Sequence, residues 1–194
     1  MPPLEDIIAD ITSGDLTREE SAALAFGRLE LADSLPALST LLENEDSEVR
    51  WWATRALAEL PAEAAADLVA QALRDENNAV RQCAALVARE QPSKAAIRAL
   101  VTLLNNENRL LARLAADALI ASGEDATLEL IDVLEKQEGA AQVEAARALA
   151  HIGDTRAIGP LFRALDTEST MVEHWANEGL DRMGLGMRFF SPGG

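Results

Sequence analysis

The segment EVRWWATRALAEL, residues 48–60, sets the pattern on which the rest of the chain is built. Its apolar residues recur at helical spacing, with Val49, Ala53, Ala56 and Leu57 on one face. The central alanine has counterparts separated by 31, 31, 31, 30 and 31 residues, namely Ala22, Ala53, Ala84, Ala115, Ala145 and Ala176. A period of this length is typical of proteins built from repeated pairs of helices.

A second set of apolar helical segments alternates with the first: LPALSTLL, AADLVAQAL, AIRALVTLL, TLELIDVL and AIGPLFRAL, with LEDIIADI ahead of them. Pro61 and Pro92 lie where a helix can begin, and Gly123, Gly153 and Gly184 lie where one can end. No segment has the alternation of a strand. The sequence therefore predicts twelve helices in six pairs.

One helix pair of this length cannot bury its own apolar face, so the pairs must stack on one another. The predicted fold class is all-α, a right-handed α-solenoid of about six helix pairs. No linker-like segment interrupts residues 1–186, and we expect them to form a single domain.

Both ends of the chain carry specific signals. Thr17 with Glu20 has the spacing of a capping box and predicts the start of the second helix. At the other end, residues 187–194 form a tail that contains Phe189 and Phe190. The last repeat of a solenoid needs a cover for its apolar face, so we expect the tail to fold back as a cap. The alternative is a short docking peptide for another protein.

Composition limits the classes of partner. The chain has 194 residues, of which 48% are hydrophobic and 26% charged, the balance of a folded domain. A net charge of -16 repels the phosphates of nucleic acids and anionic membranes, so we expect neither as a partner. Cys83 is the single cysteine, which excludes an internal disulfide. The N-terminus resembles no signal peptide and no window is apolar enough to span a membrane, so a cytoplasmic location is expected.

The stretch HIGDTRAIGPLFRALDTES, residues 151–169, together with EVRWWATRAL and NAVRQCAAL, resembles the HEAT repeats of the phycobilisome-lyase-like type. The resemblance covers nearly the whole chain as six units. It implies that the first helix of each pair lines the convex side and that the valine-arginine helix lines the concave side. It also implies protein binding, or a subunit of an enzyme that attaches or removes bilin pigments.

Arginine follows the valine in two of the repeats. Arg50 and Arg81 are preceded by the acidic loops NEDSE and RDENN. We expect these arginines to form ion pairs and carbonyl contacts between repeats. The equivalent residues of the later repeats are Ala112, Gln142 and Glu173, so this series of arginine contacts between repeats is not expected to continue.

Three columns of residues point away from the predicted core of the valine-arginine helices. A solvated helix face would be charged throughout, whereas these columns mix apolar and aromatic side chains with arginine, the composition of interface hot spots. The candidate binding surface consists of Trp51, Trp52, Arg55, Cys83, Leu86, Arg113, Leu114, Val143, Arg147, His174 and Trp175. Neighbouring residues point about 100° apart on a helix, so we expect Trp51 to be displayed and Trp52 to be tucked between repeats.

Catalytic and metal-binding patterns are not found in the sequence. His151 and His174 are the two histidines, and neither has a second ligand at metal-binding spacing. No nucleophile, base and orienting group can be assembled from so few histidines. The sequence therefore predicts a non-enzymatic scaffold or adaptor that binds another protein and needs no cofactor. The alternative is a bilin lyase or chaperone-like subunit that holds a tetrapyrrole against an acceptor protein.

Overall fold

The computed structural model describes residues 2–185, and in this part of the chain the regular structure is entirely helical. Twelve α-helices occur in six consecutive pairs, as the sequence predicts. Their bounds are α1 Leu4–Ile11, α2 Leu16–Ala25, α3 Leu31–Leu41, α4 Ser47–Ala56, α5 Ala62–Ala72, α6 Asn78–Glu90, α7 Lys94–Leu103, α8 Arg109–Ala121, α9 Thr127–Lys136, α10 Ala140–Ile152, α11 Ile158–Ala164 and α12 Thr170–Arg182. Short 3-10 turns follow or precede several of them, including Leu57–Glu59 after α4.

The chain divides into two compact units, Met1–Ser122 and a second unit that begins at Gly123. In the first unit α2, α4, α6 and α8 contact one another in order, and α3, α5 and α7 form the neighbouring layer. In the second unit α10 packs on α12 and α9 packs on α11. A single domain over residues 1–186 stays a prediction, and the tail at 187–194 lies outside the described residues.

Side-chain caps begin several helices. Asp15 caps α2, because its Oδ1 accepts hydrogen bonds from the N–H groups of Thr17 and Arg18 at 3.0 and 3.1 Å. The predicted capping box of Thr17 with Glu20 is therefore wrong, since the helix begins one residue before Thr17. The carboxylate that reaches back is that of Glu19, which accepts from the N–H of Gly14 at 3.0 Å.

Alanine and leucine form the core, as the low aromatic content predicts. The six alanines that recur with the repeat period are all buried, and from Ala53 onward they are fully inaccessible. Small side chains bring the helices close together, and one such close approach involves Gly179 of α12. A Cβ at Gly179 would lie 2.9 Å from Cα of Ala150 in α10.

Arg50 joins one repeat to the next. Its Nε and Nη2 donate to the two carboxylate oxygens of Asp75 at 2.7 and 3.0 Å, and its Nη1 donates to the carbonyls of Asn44 and Glu45. The side chains of Arg50 and Asp75 are both 8% exposed. Burial tends to raise the pKa of Asp75, but the hydrogen bonds from Arg50 and from the N–H of Asn77 outweigh it and lower the pKa. The predicted ion pair between repeats is confirmed at this position.

The equivalent arginine of the next repeat lacks this arrangement. Arg81 hydrogen bonds to Asn78 of its own helix, and its buried Nε has no acceptor among the described residues. The residue that follows Asp75 by one 31-residue period is Asn106, an uncharged amide. Asn106 keeps the local turn, because its Oδ1 accepts from the N–H of Asn108 as Asp75 does from Asn77. Of the two predicted arginines, Arg50 therefore forms the ion pair between repeats and Arg81 does not.

Candidate functional site

A cleft of about 470 Å³ opens between α4 and α6 in the first unit. We call it the Trp51 cleft. It is lined by Trp51, Arg55, Ala58, Ala79, Gln82, Cys83, Leu86, Val87 and Glu90. Four of the residues predicted from the sequence thus meet in one place, namely Trp51, Arg55, Cys83 and Leu86. Leu86 is a large apolar side chain that remains 38% exposed at this edge.

The two adjacent tryptophans divide as expected. Trp52 is buried, with 8% of its surface exposed, whereas Trp51 is half-buried and lines the cleft. Their rings meet edge to face, with centroids 4.8 Å apart and planes at 87°. This geometry is favourable for aromatic pairs and holds the Trp51 ring against a side chain that is itself packed in the core. Trp52 therefore supports the surface and is not itself displayed.

Cys83 lies in the wall of the cleft as a small apolar residue. It is buried, and its Sγ lies 4.0 Å from the carbonyl oxygen of Trp51. Burial raises the pKa of the Cys83 thiol to about 12. A thiol in this state is not a nucleophile at neutral pH, so Cys83 serves as a small packing residue in the wall.

The two charged side chains that line the cleft, Arg55 and Glu90, differ in whether they have a partner of opposite charge. Arg55 donates from Nη1 to the carboxylate of Glu59 one turn later, at 2.8 Å. Glu90, at the end of α6, is exposed. Within residues 2–185 no hydrogen bond or ion pair of the Glu90 side chain is found. The cleft therefore combines an apolar wall with one neutralised arginine and one carboxylate that faces solvent.

Two predicted residues of the first unit lie on α8, outside the cleft. Arg113 is exposed, and its Nε lies 3.8 Å from the carboxylate of Asp117. Leu114 is half-buried. These residues are placed on the outward face of their helix, as the columns predict, but they do not line the Trp51 cleft.

The second unit holds a separate aromatic cluster around Trp175 of α12. The imidazole of His174 meets the Trp175 ring edge to face, with centroids 5.1 Å apart. His151, at the end of α10, lies on the same indole with centroids 5.5 Å apart. The Nδ1–H of His151 donates to the carbonyl oxygen of Arg147 at 2.9 Å, which fixes the ring orientation. Trp175 itself is half-buried.

Arg147 does not join this cluster as an exposed cation. Only 2% of its surface is exposed, because it lies among the alanines of α10 and its Nε donates to Glu144 at 2.8 Å. The prediction that Arg147 contributes to the binding surface is therefore not supported by its burial. Val143, one turn earlier on the same helix, is half-buried.

Besides the small or uncharged lining residues Ala58, Ala79, Gln82 and Val87, three residues with charged or aromatic contacts at these surfaces were not among the sequence candidates: Glu59, Glu90 and His151. They follow Arg55, Leu86 and Arg147 by four residues, and these three share one outward column of the repeats. Extending that column by one turn would have found them.

A second opening of about 460 Å³, in the second unit, is lined by Arg163 and Glu135, which pair with each other there. Within residues 2–185 no group of three or more His, Cys, Asp or Glu side chains is placed to hold a metal ion. In the same part of the chain no helix has the length and apolarity needed to cross a membrane.

Comparison with known proteins identifies the repeat type. Residues 2–88 match the family model of HEAT repeats, and residues 141–167 match that of the PBS lyase HEAT-like repeat. No curated protein gives a significant match to this chain.

Several solved structures are similar over nearly the whole chain. The archaeal HEAT-like repeat protein of Thermococcus onnurineus NA1 is 16% identical, with a TM-score of 0.62 over 94% of this chain and 81% of that one. A chain from the complex of CpcE and CpcF of phycocyanin lyase, from Nostoc sp. PCC7120, is 25% identical, with a TM-score of 0.55 over 95% and 78%. A designed armadillo repeat protein in complex with the peptide (KR)4 is 18% identical, with a TM-score of 0.54 over 94% and 100%.

These neighbours agree with the fold class predicted from the repeats, an all-α solenoid. The chain therefore contains HEAT repeats over residues 2–88 and a repeat of the PBS lyase HEAT-like type over residues 141–167.

Proposed function

We propose that this chain is a non-catalytic scaffold that binds another protein through the Trp51 cleft. The observation that carries the proposal is the division of labour between the adjacent tryptophans. Trp52 is packed into the core, whereas Trp51 remains half-buried at the edge of an open cleft beside the exposed Leu86. A rigid aromatic side chain that is still partly open to solvent is the kind of residue that dominates binding energy at protein interfaces.

The chemistry of the cleft is consistent with binding and offers little for catalysis. Its cysteine is held as a neutral thiol, and its arginine is already paired with a carboxylate. The remaining lining consists of apolar side chains, the amide of Gln82 and the carboxylate of Glu90. The neighbour from phycocyanin lyase occurs in a complex of two proteins, and the designed armadillo repeat protein occurs with a peptide. Those assemblies support a binding role for this chain as well.

The proposal is tested by comparing Trp51→Ala with a matched control, Leu110→Ala. Leu110 is also exposed, at 57%, but it lies at the start of α8 and outside the cleft. The purified proteins are immobilised and the proteins captured from a native extract are compared, followed by affinity measurement for each captured protein. A hot-spot tryptophan contributes about 2 kcal/mol or more, so Trp51→Ala is expected to weaken specific binding by about 30-fold.

Leu110→Ala is expected to leave the affinity within about twofold of the original, because isolated exposed leucines contribute little. Equal binding by the original chain and by Trp51→Ala, for every captured protein, would contradict the assignment of the cleft. Circular dichroism on both variants checks that the helices are intact.

A second candidate function follows from the repeat type. The segment 141–167 matches the PBS lyase HEAT-like repeat, and it includes His151, which lies against Trp175. In this alternative the chain is a bilin lyase or chaperone-like subunit, and the Trp175 cluster stacks against a tetrapyrrole that it presents to an acceptor protein. Stacking on an indole is a common way to hold a flat conjugated ligand.

The alternative is tested with biliverdin as the tetrapyrrole. Binding is expected to shift the visible absorbance of the pigment and to quench tryptophan emission, and Trp175→Ala is expected to remove most of the quenching. An unchanged spectrum up to the solubility limit of the pigment would rule the alternative out. The same titration of Trp51→Ala serves as the control, because Trp51 lies in the other unit.

A further inference from the structure

We propose that the segment which enters the Trp51 cleft is basic: it carries an apolar side chain that packs on Trp51 and Leu86, and a lysine or arginine that pairs with Glu90. This inference rests on the proposed function and specifies the chemistry of the partner. It starts from the unequal pairing of the charges around the cleft.

Each arginine on this face lies four residues before an acid of its own helix. Arg55 pairs with Glu59 at 2.8 Å, and Arg113 lies 3.8 Å from Asp117. Neither arginine therefore presents an unneutralised charge to a partner. An acidic partner would have to compete with these carboxylates for the same guanidinium groups.

Glu90 differs from the acids that pair with arginine. The residue four positions before it is Leu86, which is apolar, so no cation of its own helix face reaches it. Its side chain is exposed and lines the cleft, and among residues 2–185 it forms no hydrogen bond or ion pair. The Glu90 carboxylate is thus the charge that the cleft offers to an incoming group.

A second carboxylate extends the same imbalance. Glu20 of α2 occupies the column of Trp51 one repeat earlier, and it is exposed. Its neighbours one turn away are Leu16 and Leu24, both of them exposed leucines. Glu20 and Glu90 thus each lie one turn from an exposed leucine, and neither forms a hydrogen bond or an ion pair among residues 2–185. The net charge of -16 adds a long-range attraction for cations.

The spacing on α6 defines the pattern that a partner needs. Leu86 and Glu90 are one turn apart, so their Cβ atoms lie about 5–6 Å from each other. In an extended peptide, residues two positions apart point to the same side, about 7 Å apart. An extended segment with leucine at one position and lysine two positions later can therefore contact Leu86 and Glu90 together.

The test uses a fluorescein-labelled peptide of four Leu-Ser-Lys units and its counterpart of four Leu-Ser-Glu units. Fluorescence anisotropy measures the affinity of each peptide for the full chain, for Glu90→Gln and for Asp67→Asn. Asp67 is an exposed acid in the middle of α5, in the other helix layer, so its variant removes one charge from outside the cleft.

The Lys peptide is expected to bind and the Glu peptide not to bind. Glu90→Gln is expected to weaken the Lys peptide by about fivefold, the size of one partly exposed ion pair, and Asp67→Asn by less than about 1.5-fold. Raising the NaCl concentration from about 50 mM to about 300 mM should reduce the difference between Glu90→Gln and the original chain, because salt screens exposed charges.

Three results would overturn the inference: no binding of the Lys peptide, equal binding of both peptides, or equal effects of Glu90→Gln and Asp67→Asn. The first two leave the proposed function standing if Trp51→Ala still abolishes capture of a protein partner. Failure of the proposed function is recognised separately, because Trp51→Ala would then have no effect on any ligand.

Discussion

Arg50 pairs with a carboxylate of the next repeat and Arg81 does not, so we predict that the two arginines differ widely in their contribution to stability. Arg50→Met removes a guanidinium that forms two hydrogen bonds to Asp75 and two to the carbonyls of Asn44 and Glu45. Its contact with Glu76 adds little, since that side chain is 88% exposed. Breaking a buried pair costs about 3–5 kcal/mol, because the partner charge stays buried.

The lower end of that range applies here. Asp75 keeps the hydrogen bond from the N–H of Asn77, at 2.8 Å, after the arginine is removed. We therefore expect Arg50→Met to reduce the free energy of unfolding by about 3 kcal/mol, which lowers the Tm by roughly 10 °C for a unit of this size. Urea unfolding followed by circular dichroism measures the change.

Arg81→Met is the matched control, since it is the same substitution one repeat later. Arg81 has no carboxylate partner at Asn106 and its buried Nε has no acceptor, so the loss is expected to be below about 1 kcal/mol. Asn106→Asp supplies the missing carboxylate and is expected to add about 1 kcal/mol, which Arg81→Met then removes. Equal losses for Arg50→Met and Arg81→Met would refute the reasoning.

The pH dependence gives an independent check. The pKa of Asp75 is lowered in the folded chain, so the stabilisation by its charge is complete above the unfolded pKa and is lost as the pH falls. In Arg50→Met the buried carboxylate of Asp75 lacks the arginine, so its protonation removes a buried charge that has lost its ion-pair partner. The difference in unfolding free energy between the original chain and Arg50→Met is therefore expected to shrink as the pH falls below about 4.

Three further predictions concern packing, charge and the thiol. Gly179→Ala should lower stability by about 2 kcal/mol in thermal unfolding, because its Cβ would meet the α10 backbone at 2.9 Å. Gly159→Ala should not destabilise, because its Cβ would meet only the flexible side chain of Arg163, at 3.5 Å. The pKa of Asp154 is about 2, held down by the Arg156 guanidinium, so Asp154→Asn should cost about 1–2 kcal/mol near pH 7 in urea unfolding, and this difference should fade as the pH drops below about 4. Cys83 should react with a disulfide reagent at least about 100-fold more slowly in the folded chain than in urea, because burial holds its pKa near 12.

The helix count could be predicted because burial recurs with the local period of a helix. The alanines that recur with the repeat period predicted both the number of helix pairs and the face that each helix buries. The burial of Ala53 and Ala84 confirms that face. The same register correctly separated Trp51 from Trp52. These inferences use only the direction of Cβ, which helical geometry sets residue by residue.

Longer side chains could not be placed in this way. Arg147 starts in an outward column, yet its guanidinium returns to Glu144 and only 2% of the residue is exposed. The direction of Cβ does not fix the position of a charged group several bonds away, because the stem can lie along small neighbours. His151 lies one turn beyond Arg147 and could be reached by extending that column, but its contact with Trp175 joins two helices and is not encoded by local spacing.

The adjacency of the two tryptophans explains how a repeat dominated by alanine can present Trp51, the binding residue that we propose, at its surface. Small core residues bring α4 and α6 together. Trp52 of α4 is buried, and its edge-to-face contact with Trp51, at 4.8 Å, restrains the second ring at the edge of the cleft. A ring that is already restrained loses less side-chain entropy when a partner covers it. In the proposed interface, burial of Trp52 therefore increases the affinity that Trp51 can provide.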